Sequence, residues 1–187
     1  MERALVLIKP DGVERALIGR VIAQFEASGL KVTALKMLKP KEATVGKHYT
    51  DDEKWLISVG KKTKQSYLDK GIKVKETERE IGMRVRSYLI KELTRSPIVA
   101  MVLEGNAAAE VARKIAGSTE PKKAETYSIR GRYSNDSYSL ADKKQRSVRN
   151  IVHVSEDSDI AEKEIAVWFS KEEICQYGRA DEDALYG

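Results

Sequence analysis

Residues 4–8, ALVLI, are apolar without a break and run straight into Lys9-Pro10-Asp11-Gly12. A strand with one wet face alternates, whereas an unbroken apolar run is what a strand covered on both faces looks like. The run predicts a central strand, and Pro-Asp-Gly predicts a tight turn closing it. Lys9 is thereby held where a buried strand ends.

The rest of the chain can be read around that strand. Ile18, Val21, Ile22 and Phe25 carry the i, i+3, i+4, i+7 spacing of a helix face, which Gly29 ends. Residues 31–38 alternate as a second strand, and Pro40 opens a short helix over 41–49. Residues 58–76 are Lys-rich and weakly patterned, and read as a basic, partly exposed excursion. Ile81, Val85, Tyr88 and Leu89 then mark a helix ending near Thr94. Residues 96–105 form a third, buried strand. A helix follows over 106–117, with Asn106 as its N-cap and Gly117 at its end. Residues 118–149 read mostly as loop, 150–155 as a fourth strand and 158–169 as a helix. Ser170-Lys-Glu-Glu173 is a capping box opening a last short helix, and the tail reads as irregular. This order predicts an α/β (α+β) sandwich of the ferredoxin-like, split βαβ kind: a four-stranded antiparallel sheet with helices packed on it. A doubly wound parallel sheet is the alternative, disfavoured because no Gly-rich turn follows the first strand.

At 187 residues the default is one domain, spanning 1–187, with a Lys-rich insertion over about 58–94 and a longer loop over about 131–149. The net charge of +5 suits anionic partners such as phosphates, nucleotides or nucleic acid, and suits plain solubility equally well. A single cysteine, Cys175, excludes an intrachain disulfide and a zinc site built from cysteines, and fits a reducing compartment. No signal peptide is read, and runs such as IVAMVL are too short to span a bilayer, so a cytoplasmic protein without a membrane partner is expected. No P-loop, G-x-G-x-x-G, G-x-S-x-G, H-E-x-x-H or C-x-x-C occurs. A nucleotide would have to be held by side chains.

His153 sits between Val152 and Val154 in the fourth strand, a setting that by itself favours a structural histidine. Its neighbours point elsewhere. Asn150 and Arg149 precede it, at the end of a stretch carrying Arg130, Arg132, Lys143, Lys144 and Arg146. On the next helix Ile160, Glu164 and Trp168 are spaced by four, which brings Glu164 near the apolar face. A buried carboxylate needs a partner. If it accepts from one ring nitrogen of His153, it fixes the tautomer and leaves the other nitrogen bare for attack. The plainer reading puts Glu164 at the rim, paired with a Lys or Arg.

On these residues the chain resembles a nucleoside diphosphate kinase. NIVHVSED (150–157) is similar to that family's active-site signature. IKPDGVERALIGRVIAQFEASGLKV, HY (48–49), PIVAMVLEG (97–105), RKIAGSTEP (113–121), SIRG (128–131) and AEKEIAVWF (161–169) follow in the family's order. The resemblance implies a ping-pong transfer. His153 takes the γ-phosphate of ATP or another nucleoside triphosphate as a phosphohistidine, and a nucleoside diphosphate collects it. It implies that Lys9 and Asn150 bind the sugar and, for Lys9, the phosphate side. Arg113, Thr119 and Arg130 hold the β- and γ-phosphates, Tyr49 supports Lys9 or the phosphate near the nucleophile, and Ser155 and Glu164 orient His153. It implies Mg²⁺ carried by the nucleotide phosphates, with no metal ligands of the protein's own, and a homo-oligomer, a hexamer or a tetramer.

Two stretches depart from the family pattern. The family's base-stacking aromatic has no matched counterpart after Tyr49. Trp55 is the nearest aromatic, and the role is not carried over to it. The family usually has an acidic residue two positions after the arginine of SIRG, where this chain has Arg132. Two other functions compete: a ferredoxin-like module binding nucleic acid or nucleotides through its basic loops, and a catalytically silent scaffold. Against the first, the strands show no RNP-like aromatic pair, so nucleic-acid binding is at most secondary.

Overall fold

The computed structural model describes the backbone of residues 1–187 and every side chain but that of Tyr186. Four strands form one antiparallel sheet: β1 (Glu2–Ile8), β2 (Lys31–Leu38), β3 (Ile98–Gly105) and β4 (Val152–Val154), in the order β2-β3-β1-β4. The β1-to-β2 and β3-to-β4 crossovers each leave a one-strand gap that a strand of the other unit fills. That is the split βαβ sandwich.

Ala4 to Ile8 of β1 have no exposed surface. Ala4, Val6 and Ile8 face one core with Val21 and Phe25 of α2 (Ile18–Ala27) and the alanines of α6 (Ala108–Ala116). Leu5 and Leu7 face the other, with Val45 of α3 (Glu42–His48), Leu93 of α5 (Glu78–Thr94), and Ile165 and Trp168 of α9 (Ser158–Trp168). The pleat then decides where the histidine points. His153 pairs with Leu7, while Val152 and Val154 pair with Ile8 and Val6. Cross-strand partners share a face, so the valines enter the first core and His153 faces α3 and α9.

Several expectations need correcting. Pro10-Asp11-Gly12 is not a bare turn. It opens the five-residue helix α1 (Pro10–Glu14), with proline in the first turn, where its missing N–H costs nothing. The Lys-rich stretch is mostly helix: α4 (Glu53–Leu68), capped by Asp52 Oδ1, which accepts from the amides of Lys54 and Trp55. Asn106 is not an N-cap. Ala107 takes that position with φ 47°, and no side chain caps α6. The 118–149 stretch holds two short helices, α7 (Ile129–Tyr133) and α8 (Tyr138–Lys143), capped by Ser128 and Ser137. The fourth strand is only three residues long, and the tail forms one turn of helix, α10 (Glu182–Tyr186). The box at Ser170 forms with both of its bonds, over a 3-10 turn at Lys171–Glu173.

α4 and α5 make an antiparallel pair that is unusually close at two glycines. A Cβ on Gly60 would lie 1.7 Å from the carbonyl oxygen of Glu78, and one on Gly82 would lie 2.1 Å from that of Leu56.

Candidate active site

The ends of β1 and β4 are tied together just before the histidine. The Lys9 amide donates to Ile151 O at 2.7 Å, and the Ile151 amide donates to Asp11 Oδ2 at 3.0 Å. Ile151 has φ 70°, a left-handed conformation in which a β-branched residue is strained. The Val152 amide closes the turn onto Asn150 O at 2.7 Å. This turn sets the direction in which the His153 strand leaves.

The His153 ring is fixed by what lies beneath it. Its Nε2 is 3.0 Å from Glu164 Oε1, and Ser155 Oγ donates to Glu164 Oε2 at 2.6 Å. Ser155 is fully buried and is anchored in turn, accepting from the Leu5 amide at 3.1 Å. Burial pushes the Glu164 carboxyl up. The charge and hydrogen bond of His153, with Ser155, outweigh that and hold it below the ordinary carboxylate value. An ionised Glu164 is acceptor only, so Nε2 carries the proton. In the neutral ring the lone pair is then on Nδ1, which makes no hydrogen bond among the described residues.

His48 packs edge-on against His153 at 4.5 Å between ring centres, and its Nδ1 accepts from Trp168 Nε1 at 3.3 Å. Burial first, and then the neighbouring His153, bring its pKa down to about 3, so it is neutral at physiological pH. His48, His153 and Glu164 are a close set of metal-type ligands. However, His48 Nδ1 and both Glu164 oxygens are already engaged within the protein.

Lys9 is buried at 4% exposure, and its Nζ donates to Asn150 Oδ1 at 2.8 Å and Val148 O at 3.3 Å. Burial lowers its pKa despite the opposing charges of Asp11 and Glu92. Asn150 spends its amide donor on Thr119 O at 2.8 Å. Arg130 reaches Gly117 O at 2.6 Å and Val152 O at 2.9 Å, and its buried Nε has no partner among the described residues. Burial brings its pKa down to about 10, which still leaves it charged at neutral pH. The turn at Gly117 admits no side chain: φ is 81°, and a Cβ would lie 2.2 Å from Ser128 Oγ.

These groups line one cleft of about 510 Å³, within the range of small-molecule sites. Lys9, Tyr49, Thr119, Arg130, Asn150 and His153 all contribute to its wall. The Tyr49 ring stands perpendicular to His153 with centres 6.3 Å apart, and burial holds its phenol above its usual range, so it remains a donor. Ser155 and Glu164 lie behind His153. Arg113 stands apart from the wall, exposed on α6, with Nη1 donating to Glu156 O at 3.3 Å.

Sequence reasoning missed the opposite side of the cleft. Trp55 leans on Tyr49 and does not line it. The apolar wall is Val85, Tyr88 and Leu89 of α5, facing Ala141 and Val148. Their i, i+3, i+4 spacing was a visible signal, but core and cleft faces share it. The α4 residues Val59, Lys62, Thr63, Ser66 and Tyr67 line the cleft as well. His48 was visible only as half of the HY pair.

The chain is similar to known proteins along most of its length. The sequence model of the family "Nucleoside diphosphate kinase" matches residues 2–56 and 78–174. The nucleoside diphosphate kinase of Pyrobaculum aerophilum is 41% identical over 181 residues, covering 94% of this chain and 99% of that one. The enzyme of the same name from Borreliella burgdorferi is 37% identical, covering 100% of this chain and 98% of its own. The crystal structure of an NDP kinase from P. aerophilum superposes with a TM-score of 0.90 at 39% identity, over 94% of this chain and 99% of that one. The B. burgdorferi enzyme, solved as a transition-state mimic with vanadate and ADP, gives 0.79 at 36% identity, over 98% and 95%. The chain therefore belongs to the nucleoside diphosphate kinase family.

Proposed function

We propose that the protein transfers the γ-phosphate of a nucleoside triphosphate to a nucleoside diphosphate through a phosphohistidine on Nδ1 of His153. One observation carries this reading. Glu164 holds Nε2–H of a cleft-lining histidine, so the lone pair sits on the nitrogen left without a hydrogen bond. Nδ1 attacks the γ-phosphorus, the N–P bond forms, and the bond to the β,γ-bridging oxygen breaks. The nucleoside diphosphate leaves with that electron pair, and a second one reverses the step. The phosphorylated ring retains Nε2–H and is cationic, and the Glu164 carboxylate offsets that charge.

The other side chains position phosphate and neutralise its charge, as phosphoryl transfer demands. Lys9 and Arg130 supply cations at the floor, Tyr49 and Thr119 supply hydroxyls, and Asn150 orients Lys9 and meets the sugar. Arg113 joins them from the rim. Mg²⁺ fits as a companion of the nucleotide. Asp142 is the only carboxylate on the cleft wall among the described residues, so no oxygen cage of the protein competes for it. When bound, Mg²⁺ spreads the charge of the phosphates.

No helix is long and apolar enough to cross a membrane among the described residues. A cytoplasmic setting and a homo-oligomer belong to the proposal. The edge strand β2 exposes Leu35 and Met37, which supports association of copies.

The test is incubation with γ-labelled ATP. We expect an acid-labile, base-stable label on the protein, chased by added nucleoside diphosphate and lost in His153→Ala. A label that persists in His153→Ala, or no label during turnover, overturns the assignment.

A further inference from the structure

Residues 57–77 fall outside the family match, yet they furnish part of the cleft wall. Val59, Lys62, Thr63, Ser66 and Tyr67 follow i, i+3, i+4, i+7, i+8, so one face of α4 looks into the cleft. Its place along the cleft follows from helix register. Leu56 meets Gly82 where α4 and α5 touch. From there α4 carries Tyr67 about 16 Å one way, while antiparallel α5 carries Leu89 about 10 Å the other. The Leu89 end is the phosphate end, because Arg86 Nε donates to Tyr49 O there at 2.7 Å. Lys62 to Tyr67 therefore stand at the far end, beyond the apolar stretch of Val85, Ala141 and Val148. A nucleotide with its γ-phosphate at His153 and its base on that stretch turns the hydrogen-bonding edge of the base toward α4.

The groups waiting there are defined. Tyr67, 7% exposed, donates its hydroxyl across the cleft to Asp142 Oδ1 of α8 at 3.0 Å. Burial raises its phenol above the usual range, so it stays the donor. Beside it, Arg84 is fixed by two bonds to Glu76, at 2.9 and 2.8 Å. Asp142 Oδ2 has no hydrogen bond among the described residues, and Lys62 Nζ has neither a hydrogen bond nor an ion pair there. Thr63 has spent its proton on Val59 O, at 2.9 Å. Besides the Ser66 hydroxyl, which can donate or accept, the far end thus offers one carboxylate acceptor and one ammonium donor.

We propose that this added wall reads the nucleobase and favours guanine. Guanine presents N1–H and N2–H₂ donors to the free oxygen of Asp142, and its O6 or N7 acceptors to Lys62. Adenine has no N1–H, and its single exocyclic donor is at C6, so it cannot satisfy the carboxylate and the ammonium in the same way. Tyr67 acts through Asp142 and is a positioning residue. This rests on the kinase reading and deepens it.

The full chain is titrated calorimetrically with GDP, ADP and UDP. In parallel, the labelled phosphoprotein is mixed with each diphosphate and the loss of label is timed. GDP is expected to exceed ADP by about tenfold in affinity and in second-order rate, as one discriminating base contact gives. Asp142→Asn and Lys62→Ala bring the ratio to within about twofold, and Tyr67→Phe lowers it part of the way. Equal affinities in the unmodified chain overturn the proposal, as does a guanine preference that survives Asp142→Asn. A guanine preference in a chain that takes no label from ATP would instead sink the kinase reading and leave the base reading standing.

Discussion

The substitution Glu164→Gln separates the charge of that side chain from its shape. The amide fills the same volume and keeps both contacts. Its oxygen accepts from His153 Nε2, where Oε1 now sits at 3.0 Å, and its nitrogen donates to Ser155 Oγ, where Oε2 sits at 2.6 Å. Ser155 then turns its proton toward Leu5 O, 3.4 Å away. The fold has a ready alternative network, and stability changes by about 1 kcal/mol or less. What disappears is the negative charge opposite a ring that becomes cationic when phosphorylated. A hydrogen bond to a charged group contributes about 1.5–3 kcal/mol, against about 1 kcal/mol for a neutral one. With the loss concentrated in the transition state, the difference of about 0.5–2 kcal/mol slows phosphorylation by about twofold to about thirtyfold. The assay is rapid-quench labelling with saturating γ-labelled ATP at pH 8, with melting temperatures measured alongside. A labelling rate within twofold of the parent's, at an unchanged melting temperature, refutes the charge argument.

Three further outcomes follow from particular contacts. His48 has its folded-state pKa depressed to about 3, so above about pH 6.5 neither state binds its proton and its contribution is intact. Below that the unfolded chain takes up a proton the folded chain refuses, and stability falls by up to about 1.4 kcal/mol per pH unit. Urea midpoints at pH 7.5 and 5 read this slope, and His48→Gln should flatten it; Glu164, depressed below the ordinary carboxylate value, titrates under that window. Arg130→Lys cannot bridge the carbonyls of Gly117 and Val152 at once, and should cost about 1–3 kcal/mol by thermal melting and about a hundredfold in kcat/KM. Gly60→Ala drives a methyl group to 1.7 Å from Glu78 O, so α4 and α5 must part, at a cost of about 1–3 kcal/mol in chemical denaturation.

What the sequence disclosed tracks how local the determining contact is. β1 was legible because cover on both faces leaves no polar position in Ala4–Ile8. His153 and Glu164 were legible together because a period of two on one element and of four on the next point them at each other. Asp11 and Ile151 were not, since their bond joins ends of the chain that no spacing rule connects. α4 hid its helix because its cleft face carries Lys62, Thr63 and Ser66, so no apolar stripe signals it. α7 and α8 are shorter than two turns, too short to show a period, and only Ser128 and Ser137 mark their starts. Asn106 has the chemistry of a cap, but a left-handed Ala107 takes the position. Val85 and Leu89 were seen as apolar, but an apolar face does not say whether a core or a base will cover it.

The three-residue strand β4 has a consequence for how the chain is made. It supplies the final edge of a sheet whose central strand, β1, is synthesised long before it. Until residues 152–154 emerge, β1 has an open edge along Val6, Leu7 and Ile8, three of its most apolar positions. Pairing across such a separation is slow to form, and an open apolar edge is prone to adhere to other chains. His153, the nucleophile proposed above, is carried by the same three residues that close this edge. A product stalled before residues 152–154 therefore lacks both its protection against aggregation and its chemistry, and a chain whose β4 has docked still needs α9 to bring Glu164 against the histidine.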